Sequence, residues 1–121
     1  MSTNALQQQN LEVKIAINAS LSGAFDIRSY AGMGILMPSG WDAAAITFLA
    51  CATKDGTFRS VYTDAGDEVS VSAAASRAIS IDLNSSALAP YAWLKIRSGT
   101  AALAVVQTAE RVLTIALKTG V

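Results

Sequence analysis

The sequence predicts an all-β protein, an antiparallel sandwich or barrel of eight to nine short strands. Three observations predict it. Apolar side chains recur at every second position in short runs: Leu11, Val13, Ile15 and Ile17 near one end, and Leu113, Ile115 and Leu117, in the row that Arg111 opens, near the other. Turn residues separate the runs roughly every 8–12 residues, the spacing of sandwiches and barrels. No stretch reads as a convincing helix. A strand sends successive side chains to opposite faces, so this alternation is what a half-buried sheet requires.

The elements follow in order. Residues 1–10, MSTNALQQQN, are polar and without a period, and read as a flexible N-terminal arm or one that orders only against a partner. A single domain then spans 11–121. Strands are expected at 11–19 and 24–30, then at 32–37, where Pro38-Ser39-Gly40 makes a stop. Gly32-Met33-Gly34 marks an expected bulge or tight bend. Trp41 to Ala45 allows one helical turn with Asp42 near its start. The clearest core strand is 46–53, and Lys54-Asp55-Gly56-Thr57 closes a hairpin into 58–62. The turn Asp64-Ala65-Gly66-Asp67 leads into 68–72, and 73–77 is a loop before a strand at 78–83. A connection at 84–90, with room for a helical turn around Leu88, precedes a strand at 91–98 that ends at Gly99. A small-residue stretch, 100–108, leads to the last strand at about 111–118.

Composition excludes several functions. The chain has 121 residues, enough for one domain with a real core and too few for two. Its 52% hydrophobic content is inflated by 23 alanines, so the core must lean on Ile, Leu, Val and Phe25, Phe48 and Phe58. Nine basic and nine acidic residues cancel, and no basic cluster offers the footprint of a nucleic-acid binder. The lone Cys51 cannot form an intramolecular disulfide, which fits synthesis in a reducing compartment. No signal peptide and no membrane-spanning segment is expected. Zero formal charge with positive mean hydropathy favours self-association, a liability for a monomer and harmless in an assembly.

Chemistry is hard to place. With no histidine, a Ser-His-Asp or Cys-His relay is excluded, and clustered zinc ligands are lacking. Two carboxylates suffice for glycoside hydrolysis, but Asp55 and Asp64 sit in turns, Asp42 reads as a cap and Glu12 faces outward. Asp64, Asp67 and Glu68 lack the dense acidic spacing of calcium loops and read as a solvated turn. Cys51 reads as a small buried hydrophobe. No catalytic residue, cofactor or metal ligand is assigned.

The outward rows carry the remaining signal. In YAWLKIRSG, Ala92, Leu94 and Ile96 form one row; Tyr91, Trp93, Lys95 and Arg97 form the other, which holds both charges and should face away from the core. If Ile46 and Phe48 point inward, Leu49 and Cys51 point outward. A candidate interface therefore comprises Leu49, Tyr91, Trp93 and Arg97, because aromatics and arginine are enriched in subunit contacts. The alternatives are a face covered by the same chain, or a sugar platform built on Trp41, Trp93 or Tyr62.

Residues 32–121 resemble a family of small proteins encoded among the structural genes of tailed bacteriophages, prophages and gene transfer agents. The resemblance lies in GILMPSGWDAAAITFLACATKDGTFRSVYTDAGDEVSV, SRAISIDL and YAWLKIRSGTAALAVVQTAERVLTIALK, with Leu94-Lys95-Ile96-Arg97-Ser98-Gly99 its most specific part. It implies a virion component that decorates the head or forms a base for fibres or spikes. It implies partners among the major capsid protein and other virion proteins, and it marks no catalytic residues. Fold alone does not settle function.

Taken together, these readings predict an antiparallel β-sandwich of jelly-roll type acting as a non-enzymatic virion subunit. A homo-oligomer is expected, made in the bacterial host cytoplasm, with no nucleic-acid or membrane partner. A tail or baseplate adaptor is the alternative within that class, and a carbohydrate-binding module the alternative outside it.

Overall fold

Long-range strand pairing organises the molecule, because few of its strands are neighbours in sequence. A computed structural model describes residues 8–119. Among the described residues there are nine strands: β1 (Gln8–Ile15), β2 (Phe25–Asp26), β3 (Gly32–Leu36), β4 (Ile46–Cys51), β5 (Arg59–Ser60), β6 (Ser70–Val71), β7 (Ala78–Asp82), β8 (Trp93–Ser98) and β9 (Arg111–Lys118). The described residues contain no helix, and so none long and apolar enough to cross a membrane.

All strand pairs are antiparallel. One sheet has the order β1-β9-β3-β7; the other runs β2-β8-β4-β5, with β6 also beside β4. Pairings β1·β9, β2·β8, β3·β7 and β4·β5 describe one long hairpin that turns between β4 and β5. Rolling that hairpin up brings β9 onto β3 and β8 onto β4. This is the jelly-roll order, so the predicted fold class holds in full.

Register explains why the alternation seen in the sequence makes a core. Val13 lies opposite Leu113, Leu11 and Ile35 both lie opposite Ile115, and Met33 lies opposite Leu117, which puts all of them on one inner face. The second sheet answers with Phe25 opposite Leu94, Phe48 opposite Ile96, and Ile46. Every one of these except Leu11 is buried. Leu83, Leu88 and Val61 fill the core from outside the strands.

Several expectations need correction. β1 begins at Gln8, pairing with Lys118, so residues 8–10 are strand and not arm; the rest of the expected arm, 1–7, lies outside the described residues. Gly32 and Gly34 sit in a regular central strand with unbroken register to β7 and β9, so there is no bulge. A Cβ at Gly34 would meet that of Ala116 at an ordinary 3.6 Å. Residues 41–45 form no helical turn; five residues cannot repay helix nucleation, and Asp42 has stronger partners elsewhere. Leu88 is buried in a run of turns, not a helix. Tyr91 precedes β8 instead of opening it.

Candidate interaction face

The outer face of the β2-β8-β4-β5 sheet is built by register. Thr47, Leu49 and Cys51 of β4 lie opposite Arg97, Lys95 and Trp93 of β8, all on the side away from the core. Three of the four predicted interface residues, Leu49, Trp93 and Arg97, therefore share one face. Tyr91 lies two residues before β8, 37% exposed, between a groove of about 560 Å³ that it shares with Ile27, Tyr30, Asn84 and Pro90 and a second hollow that it shares with Cys51, Arg59 and Ser60.

The chain itself covers much of this face. Arg97 donates to Thr47 Oγ1 at 3.0 Å, to Ser60 Oγ at 3.1 Å and to the Glu68 carboxylate. Glu68 also accepts from the backbone N–H of Ala101 at 3.1 Å, tying the following loop down. The Arg97 and Glu68 side chains are only 11% and 16% exposed, and Thr47 beneath them is fully buried. Trp93 carries two cations over its ring, Arg28 at 5.7 Å and Lys54 at 5.9 Å. Lys95 lies 4.6 Å from the centre of the Phe58 ring. Such contacts contribute about 0.5–1 kcal/mol each at exposed sites.

Electrostatics along this face are locally balanced. Asp26, opposite Trp93 in register, grips Arg28 through both carboxylate oxygens at 3.0 and 2.7 Å. The Arg28 hydrogen bonds hold the Asp26 carboxyl below its usual range against the opposing effect of partial burial. Cys51 points outward, as the alternation of β4 led one to expect, and is half-buried there instead of buried. The Thr53 backbone N–H is the main cause lowering its thiol pKa.

A second polar cluster, absent from the sequence reading, closes one end of the sandwich. Gln107 is fully buried, accepting from Asp42 N–H at 2.8 Å and Arg111 Nε at 3.0 Å, and donating to Ser98 Oγ at 2.7 Å. Among the described residues no group of three His, Cys, Asp or Glu side chains could hold a metal ion. Glu68 faces Arg97 instead of the Asp64–Asp67 turn, as its ion pair requires.

Sequence reasoning missed the partners because they are remote: Arg97 and Glu68 are 29 residues apart. It also missed a set of exposed apolar side chains, Ile17, Leu21, Leu103 and Val106, at 58%, 37%, 73% and 53% exposure. Two charge-free runs, 15–25 and 98–109, were the available signal.

No protein-family model matches the sequence, and no curated protein does. Among solved structures, the chain is similar to the SPBc2 prophage-derived protein YomS, with a TM-score of 0.60 and 10% identity. The match covers 98% of this chain and 99% of that one. The two proteins share a fold end to end.

Proposed function

We propose that this protein is a non-enzymatic structural subunit of a phage-like particle, serving as a capsid decoration or cement protein or as the base of a head fibre. The observation that carries the reading is the end-to-end jelly-roll likeness to a prophage-derived protein. Its partners are the major capsid protein or other virion proteins, with copies of itself, and neither nucleic acid nor membrane. It is made in the bacterial host cytoplasm and resides in the virion. The polar side chains of the outer face support this role, since they are committed to internal bonds instead of converging on an open cleft. A tail or baseplate adaptor remains the alternative.

The carbohydrate-binding reading has less support. Trp41 donates its Nε1 hydrogen to the Ala44 carbonyl at 3.1 Å and packs against the core. Trp93 already carries two cations, which leaves Tyr62, 49% exposed, as the open platform. Quantitative mass spectrometry of purified particles from the host strain tests the proposal. Hundreds of copies per particle are expected for decoration, whereas six or twelve indicate a tail ring. Absence from particles overturns the structural role.

A further inference from the structure

We infer that the end of the sandwich built from residues 16–22 and 99–106 is a self-association surface whose partner is a second copy of this chain. Backbone bonds knit the two segments together. Asn18 N–H donates to Gln107 O at 2.8 Å and Gln107 N–H to Ala19 O at 2.9 Å, while Ser98 N–H donates to Ser20 O at 2.7 Å. Leu103 flanks the Ala101-Ala102 tip of a tight loop closed by the Gly99–Ala104 bridge and by Thr100 N–H on Leu103 O. Gly99 has φ +92°, and a Cβ there would lie 2.6 Å from Leu103 O and Val105 N. The loop is thus compact and presents Leu103 in a set position.

Charge selects the occupant. None of the chain's eighteen charged residues, nine basic and nine acidic, falls in 15–25 or 98–109. At its margin Arg97 pairs with Glu68 and Arg111 with Asp42, so the bordering charges neutralise each other. An uncharged apolar surface is complementary to itself, because pairing two copies buries no unmatched charge. A charged partner would lose solvation here without gaining a counter-ion. Zero formal charge on the whole chain removes long-range repulsion between copies.

Area is sufficient. Ile17, Leu21, Leu103 and Val106 with exposed Ala16, Ala101, Ala102 and Ala104 present roughly 600 Å² per copy, so a twofold pair that covered all of it would remove about 1,200 Å², the low end of specific interfaces. This inference stands independently of the virion role.

Sedimentation velocity of the full chain over a wide concentration range tests it, with Leu103→Asp, Val106→Asp and Leu36→Asp alongside. Leu36 is 46% exposed on β3 of the other sheet and receives the same added charge. The wild type and Leu36→Asp are expected to form reversible dimers. Leu103→Asp and Val106→Asp are expected to weaken dimerisation at least about tenfold with unchanged far-UV spectra. A wild type that stays monomeric at millimolar concentration overturns the inference. So does association that survives both loop variants, or that is lost in Leu36→Asp alone.

Discussion

Arg111 Nη2 meets Asp42 Oδ1 at 2.8 Å, joining two residues 69 positions apart. The contact locks the start of β9 to the loop before β4. Thr108 adds its backbone N–H at 3.0 Å and its hydroxyl at 3.1 Å to the same carboxylate. Gln107 lies beneath, reaching both backbone groups of Asp42. One buried amide thus joins the loop before β4 to the end of β8 and the start of β9.

Gln107→Leu is expected to lower stability by about 2–3 kcal/mol in urea unfolding, since it strands the Ser98 hydroxyl, Asp42 N–H and Arg111 Nε away from partners. A change below about 0.5 kcal/mol would show that water substitutes freely for the amide.

Asp42 should shape the acid limb of the stability curve. Its pKa is lowered first by the Thr108 backbone N–H and then by Arg111, against the opposing effect of desolvation. A depressed carboxyl stabilises the fold above its unfolded pKa of about 4, and that stability is lost as pH falls through the lower folded value. Melting temperature in the wild type should therefore drop as pH falls below about 4, and Asp42→Asn should flatten that drop. Parallel acid limbs in the two proteins would refute the assignment.

Gly99→Ala is expected to be among the most damaging small changes. The positive φ and the 2.6 Å approaches to Leu103 O and Val105 N together imply a loss of about 2–3 kcal/mol, read as a fall in Tm of about 8 °C or more. Gly32→Ala, where nothing lies within 4 Å of the added Cβ, should change Tm little. Thermal melts of the pair settle the comparison, and equal losses would contradict it.

Arg97→Ala should destabilise the free protein by about 2–3 kcal/mol, because it leaves the mostly buried Glu68 carboxylate without its cation. Arg97→Lys should recover only part of this, as one ammonium cannot span Thr47, Ser60 and Glu68 together. A residue acting only in subunit contacts would leave the unfolding midpoint of the isolated chain untouched.

Much of the fold was legible because alternation is a local property. β9 was expected at 111–118 and occupies those residues; β7 and β4 fall within a few residues of expectation. Strand edges were less legible where pairing decides them. Gln8, Gln9 and Asn10 have no apolar alternation, yet Lys118, Leu117 and Ala116 supply partners that make them strand. Gly32 and Gly34 suggest a bend in isolation, and two flanking strands keep them straight.

By itself the sequence determined which side chains face inward, since a period of two assigns every second residue to one face. It also determined that Leu49, Trp93 and Arg97 share the outer side. Only the tertiary structure decided what meets them there. Strand order is set by contacts between residues tens of positions apart, and no local pattern encodes those pairings. Thus Glu68, Lys54 and Arg28 reach the predicted face through the roll of the chain. The same roll gathers two uncharged runs, 15–25 and 98–109, into one apolar end.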